Sequence, residues 1–264
     1  MNRLSPAALI FHAAFLVFIL APLVVVALVA FTPDGYISLP VHGASLRWFR
    51  AILDHPDFVA SFELSVELGF AASALATILI LPAALAIGRF QFPGREAILA
   101  FAMSPLMVPP VVLGVALLRF FTLFQSEGTF GALLLAHVVV VTPYVLRMLL
   151  AGVAGLDRTA ERAAISLGAS TLTMFRRVTL PMLLAGLVGG FILAFTASFD
   201  ELTVTIFVSS PQVTPLSVRL FNHIAETTDP LVASVSVIIM AITTLFLILL
   251  DRLFGVDRLF GGAR

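Results

Sequence analysis

"ERAAISLGASTLTMFRRVTLPML", residues 161–183, is a charged, amphipathic stretch inside a chain that is otherwise strongly apolar. Ala163, Ala164 and Leu167 fall together on one helical face with Glu161 and Arg162 at its start. Gly168 ends that segment and frees the chain to turn. "TLTMFRRV" then reads as a second short helix, and Pro181 marks where the next apolar run begins. The product is helix, glycine hinge and helix, half apolar and half charged. With glycine and alanine giving low relief, such a knob suits entry into a groove on a soluble partner.

The surroundings of this loop decide the fold class. The chain has 264 residues, of which 60% are hydrophobic and 11% charged, and its mean hydropathy is +1.11. Soluble domains are ~45–50% apolar and ~25% charged, so too few charges are left here to cover an aqueous surface. A spanning helix needs ~20 mostly apolar residues, and about six such runs are expected, near 8–31, 62–87, 97–120, 130–150, 183–208 and 231–254. The first follows a single Arg3 and exceeds the ~7–15 residues of a secretory signal's core, so it is read as retained. An all-α integral membrane protein follows.

Composition also excludes several chemistries. Net charge is zero, which argues against nucleic acid or another strongly charged macromolecule as partner. Every one of the fifteen basic residues is arginine, so a phosphate-loop lysine and a Schiff-base lysine are both impossible. Cysteine is absent, which removes disulfides, thiol catalysis and cysteine metal sites. The histidines (His12, His42, His55, His137, His223) are scattered, and no catalytic or metal-binding motif surrounds them. His137, inside the fourth run, is expected to make a structural hydrogen bond.

Arginine placement orients the chain, because cytoplasmic loops collect positive charge. With the N-terminus inside, Arg3, Arg89, Arg95, Arg147, Arg158, Arg162, Arg176, Arg177, Arg252, Arg258 and Arg264 are cytoplasmic, and only Arg47, Arg50, Arg119 and Arg219 lie outside. Both termini and the loop at 161–183 are therefore expected in the cytoplasm. Two external segments are long enough for structure. In "SLRWFRAIL", Trp48 and Phe49 are expected at headgroup level beside Arg47 and Arg50. Leu216 to Ile224, following Pro211 and Pro215, are expected to form a re-entrant or surface helix. In the third run, Pro105, Pro109, Pro110 and Gly114 predict a kinked or locally unwound helix. Broken backbone at membrane depth needs protein or a watery cavity around it. Gly186 and Gly190 suit close helix approach in the fifth run.

The loop resembles the "EAA" loop of membrane subunits of binding-protein-dependent ABC importers, whose pattern is E-A-A, three residues, G, nine residues, I-x-L-P. Ala163, Ala164, Gly168, Val178, Leu180 and Pro181 fall in register. Arg162 stands where the glutamate is usual, and Glu161 comes one residue early. "PLMVPPVVLG" and "HVVVVTPYVLRMLLAGV" are similar to the same permease family, and "SFDELTVTIFVSSPQVTPLSVRLF" resembles its polyamine-type group.

The resemblance implies a MetI-like type I ABC importer permease fold: one transmembrane domain over 1–264, with an N-terminal helix and external segment at 1–60. A five-helix core at 61–264 carries the coupling loop at 157–181. Glu161, Arg162, Ala163, Ala164, Leu167, Gly168, Ala169, Val178, Leu180 and Pro181 are the implied coupling-loop residues. The implied partners are an ATPase dimer, a second permease subunit that is a homologue rather than a copy, and an extracytoplasmic solute-binding protein. Their place is the bacterial inner membrane. ATP and magnesium then belong to the ATPase chain, and this chain is no enzyme.

Four carboxylates, Glu63, Glu67, Asp200 and Glu201, lie within the apolar runs or at their outer margins, where ionisable groups are costly. An acidic outer mouth favours a cationic solute, which fits spermidine or putrescine. Snorkelling to water, or pairing with Arg119 and Arg219, is the structural alternative. Ferric iron and opine-like molecules are carried by similar permeases. A self-sufficient secondary carrier remains the reading from another class, and it leaves the loop without a purpose.

Overall fold

The computed structural model describes residues 5–37 and 42–254. Among them regular structure is helical, apart from one isolated bridge between Ser210 and Val213. Arg3, Arg258 and Arg264 of the orientation argument lie outside the described residues.

Helix α1 (Pro6–Ala30) starts at Ser5, whose hydroxyl accepts from the Ala8 N–H, with proline at the first helical position. The short α2 (Arg47–Ala51) runs into a 3₁₀ turn at Ile52–Asp54. α3 (Pro56–Arg89) follows, its 34 residues about 51 Å long at ~1.5 Å per residue. α4 (Arg95–Met103) and α5 (Pro110–Leu123) flank a 3₁₀ turn at Ser104–Leu106, and α6 is Phe130–Ala154. The loop holds α7 (Arg158–Ser166), α8 (Thr171–Met174), a π-helical turn at Phe175–Thr179 and α9 (Leu180–Met182). α10 (Leu184–Phe199), α11 (Thr205–Val208), α12 (Leu216–Glu226) and α13 (Leu231–Phe254) complete the chain.

By length and composition α1, α3 and α6 can each cross a membrane, and two bent pairs raise that number to five. α13 adds a further apolar helix. The kink or local unwinding expected in the third run is found, and two other expectations need correction. The third run is broken outright: α4 and α5 meet at 103°, because Pro109 caps α5 and Pro110 opens it, so neither supplies an N–H to continue the ladder. The fifth run ends at Phe199 instead of continuing to 208, because the Glu201 carboxylate accepts from the Val204 N–H at 2.7 Å and starts a separate turn. Pro181 does not open that helix either; the chain bends by 63° between the segment ending at Met182 and α10.

The described residues divide into two compact units, one within Met1–Val59 and Leu220–Leu253, the other within Ala60–Arg219. α13 thus falls in the same unit as α1. In the first unit Ser234 Oγ donates to the Ala30 carbonyl at 3.2 Å. Trp48 is buried and donates to the Asp34 carbonyl at 3.1 Å, with the Arg47 guanidinium 4.9 Å from its ring centre. Phe49 packs on Phe31 at 4.9 Å. These rings are packed on protein, and the indole N–H finds its acceptor in the neighbouring backbone.

In the second unit the core is built from Ala72, Ala76, Ala84 and Ile87 of α3, Val141, Val145, Leu146 and Leu149 of α6, and Ala194 of α10. Apolar burial drives little between helices that lipid would solvate equally well, so close packing carries the association. A Cβ on Gly186 would lie 3.1 Å from the Met148 carbonyl oxygen and 3.6 Å from the Gly152 Cα. Glycine on both helices lets α6 and α10 approach backbone to backbone. A second cluster, Leu68, Phe121, Leu133, Ala136, Val204 and Val208, joins α3, α5, α6 and α11.

Candidate functional site

Two polar assemblies lie toward opposite ends of α3. Arg89 is its last residue, 26 positions after Glu63, and that separation is about 39 Å along the helix.

At the Arg89 end sits the loop. α7 starts with Asp157, whose carboxylate accepts from the Thr159 N–H at 2.8 Å; hydrogen bonds from Thr159 hold it below the usual carboxylate range. It ends in a Schellman turn. Gly168 has φ +86°, its N–H donates to the Ile165 carbonyl at 2.9 Å, and that of Ala169 donates to the Ala164 carbonyl at 3.0 Å. A left-handed residue is required there, which is why the position is glycine. Ser170 caps α8 through the Thr173 N–H.

Glu161 points inward and is 8% exposed. The same carboxylate oxygen accepts from Arg89 Nη2 at 2.5 Å and from the hydroxyl of Thr179, which is fully buried on the π-helical turn. Burial pushes this carboxylate up; the hydrogen bonds from Thr179 and Arg89 and the charges of Arg89 and Arg158 outweigh it and hold the group below the usual range. Arg158 Nη2 donates to the Arg89 carbonyl at 3.1 Å, and Arg95 Nε to the Ile87 carbonyl at 2.8 Å. The free carbonyls at the end of α3 are thereby capped. Removing one member of a buried ion pair costs ~3–5 kcal/mol, because the other is left uncompensated.

The outward face is different in kind. Leu167 is 89% exposed, and Ile165, Leu172, Arg162, Arg176 and Arg177 are exposed beside it. Of the residues expected to form one coupling surface, Arg162, Ala163, Leu167, Gly168 and Pro181 are on the surface. Ala164, Ala169, Val178 and Leu180 are half-buried, and Glu161 is turned away from that face. Arg89 and Thr179 were not expected in this cluster; Arg89, a cation closing an apolar run, was the available signal.

At the other end, His137 is buried, its Nδ1 2.8 Å from Ser198 Oγ and its Nε2 3.0 Å from Thr205 Oγ1. The Thr205 hydroxyl donates to the Glu201 carbonyl at 2.8 Å, so it accepts from Nε2–H, and Nδ1 accepts the Ser198 proton. The expected structural hydrogen bond of His137 is therefore a pair of bonds that clamps both sides of the break after α10. Ser217 Oγ donates to the same Glu201 carbonyl at 2.8 Å, and the Leu216 N–H donates to Ser65 Oγ at 2.8 Å. Phe62 meets Phe199 at 6.0 Å and Phe70 meets Phe191 at 5.2 Å. These ring contacts set the Glu63–Glu67 turn of α3 beside the end of α10 that carries Asp200. Glu63, Glu67 and Asp200 are exposed, while Glu201 is half-buried and bound to its own backbone.

Among the described residues no group of three or more metal-ligating side chains exists. The arrangement combines a capped loop at one end of α3 with exposed carboxylates at the other.

Comparison with known proteins places the chain. Residues 79–255 match the family of binding-protein-dependent transport system inner membrane components. The spermidine/putrescine transport system permease protein PotC of Haemophilus influenzae is 32% identical over 88% of this chain and 90% of its own length. The putrescine transport system permease protein PotI of Escherichia coli is 30% identical over 84% of this chain and 82% of its own length. A crystal structure of a bacterial ABC transporter involved in import of the acidic polysaccharide alginate contains a chain with 14% identity and a TM-score of 0.72, over 96% of this chain and 100% of that one. That last likeness speaks to the fold.

Proposed function

The chain belongs to the inner membrane components of binding-protein-dependent transport systems, an ABC importer permease, and from that premise we propose that it forms half of a translocation path for a polyamine such as spermidine or putrescine. The observation that carries the substrate is the set of exposed carboxylates, Glu63, Glu67 and Asp200, on helix segments joined by Phe62 and Phe199. Carboxylates attract amines, and aromatic rings accept both ammonium groups and the methylenes between them. The names of the relatives agree with this chemistry.

ATP and magnesium belong to a separate ATPase dimer, which docks on the loop at 157–181. A homologous permease supplies the other half of the path, and a solute-binding protein delivers substrate from outside. Both termini are cytoplasmic, in accord with the arginine asymmetry. ATP-driven closure of the ATPase pair moves the loop and rocks the path between inward and outward access.

Uptake of labelled spermidine and putrescine by cells carrying the complete system tests the substrate. Asp200→Asn is expected to lower polyamine uptake about tenfold, the loss of one charge-assisted contact. Unchanged uptake and unchanged selectivity for charge refute the electrostatic role.

A further inference from the structure

We propose that Glu161 is a positioning residue that couples the loop to α3 through Arg89, making α3 a third route of motion beside α6 and α10. The inference rests on the reading of 157–181 as the ATPase-docking loop. α6 and α10 are joined to that loop by the chain itself; α3 is separated from it by 72 residues of sequence at the Arg89–Glu161 contact. What joins them is one buried carboxylate holding Arg89 at 2.5 Å on one side and the Thr179 hydroxyl on the other. Glu161 therefore ties three pieces to one point: α7, the π-helical turn that leads into α9, and the end of α3. Arg158, one turn earlier on α7, makes a second link by donating to the Arg89 carbonyl at 3.1 Å. A push on α7 reaches Arg89 through short, charge-assisted bonds that do not stretch appreciably. α3 is one continuous helix, with Pro82 inside it, whose far end carries Glu63 and Glu67, so displacement at Arg89 is delivered along it to the acidic end.

The same geometry accounts for the register of the charged residues. Arg162, at the position where a glutamate is usual, faces outward, and Glu161, one residue earlier, faces inward. Neighbouring helix positions differ by about 100° in direction, so the acid serves the interior and leaves the docking face to arginine.

The test uses the assembled transporter in vesicles. Among the described residues there is no native cysteine, and the sequence contains none. Val66→Cys therefore places a sole thiol in this chain, on an exposed position near the acidic end of α3. The rate at which a membrane-impermeant maleimide labels it is measured with and without vanadate-trapped ATPase, alongside ATP hydrolysis. In this background Glu161→Gln and Arg89→Gln are expected to keep the ATPase bound and hydrolysing. The vanadate-dependent change in labelling falls at least about tenfold, the effect of losing one hydrogen bond to a charged group. Arg89→Lys, which keeps the charge, retains most of the change. An unchanged labelling response at unchanged hydrolysis overturns the proposal, and so does loss of the bound ATPase in Glu161→Gln, which marks a merely structural support for the loop. Gly168→Trp separates the two readings: if it keeps the ATPase and the full response, the docking reading fails; if it loses the ATPase while Glu161→Gln responds normally, only the α3 route fails.

Discussion

Gly168 allows the docking surface to be tested without disturbing the fold. Its φ of +86° is in the left-handed region, and a Cβ built there meets no atom within 4 Å. Any L-residue at this position bears a backbone cost of ~1–2 kcal/mol, partly offset by the ~0.4–1 kcal/mol gained from a less flexible unfolded chain. The net backbone penalty is about 1 kcal/mol for alanine and tryptophan alike, because it follows from the left-handed φ and from the Cβ that both share. Membrane insertion and subunit yield are therefore expected to be alike for Gly168→Ala and Gly168→Trp. Function is expected to divide them. Alanine adds one methyl to the surface and lowers uptake by no more than about fivefold, while tryptophan adds an indole where the groove closes on the loop and abolishes it. The assay is ATP-dependent uptake together with recovery of the ATPase in mild detergent, normalised to the amount of this chain. Equal behaviour of the two variants in both measurements refutes the argument, since it means that nothing covers Gly168 in the working complex.

Three further outcomes follow from the same geometry. Gly186→Val sets a branched side chain against the Met148 carbonyl and the Gly152 Cα, and is expected to lower thermal stability in detergent by about 2 kcal/mol or more. Gly189→Ala meets only the flexible tip of Met148, at 2.7 Å, and is expected to be tolerated; the reverse order refutes the backbone-contact argument. His137→Leu removes two hydrogen bonds and is expected to cost about 1–3 kcal/mol, with His137→Gln recovering part of it; an unchanged melting temperature for the leucine variant argues against the clamp. The Glu161 carboxylate is held below its ordinary value of 4.5, so its stabilisation is fully present above the ordinary carboxylate range and is lost as pH falls through the lowered native value. The difference in stability between the parent and Glu161→Gln is thus expected to be flat from about pH 6 to 8 and to shrink only in acid below that range. A difference that varies across neutral pH contradicts an ionised, paired Glu161.

What the sequence made legible was set by the range of the interactions involved. Long apolar runs, a glycine at a helix end and clustered prolines act within a turn or two, so the helices, the Schellman turn at Gly168 and the break between α4 and α5 can be anticipated from neighbours alone. What escaped anticipation was the identity of partners far along the chain. His137 meets Ser198 and Thr205 across 61 and 68 residues, and Glu161 meets Arg89 across 72. Helical periodicity placed Glu161 with the exposed alanines because a carboxylate on an amphipathic helix ordinarily faces water; Arg89 and Thr179 reverse that preference by providing a charge and a donor inside. The burial of Trp48 was not legible for the same reason, its acceptor being the carbonyl of Asp34. In each case a buried polar group is retained at a cost in desolvation and is fully paired, and in the second unit those pairs join helices that apolar packing alone leaves free to slide. The carboxylates left exposed, Glu63, Glu67 and Asp200, are the contrast: no side-chain partner holds them among the described residues, which is the physical reason to propose them for the solute.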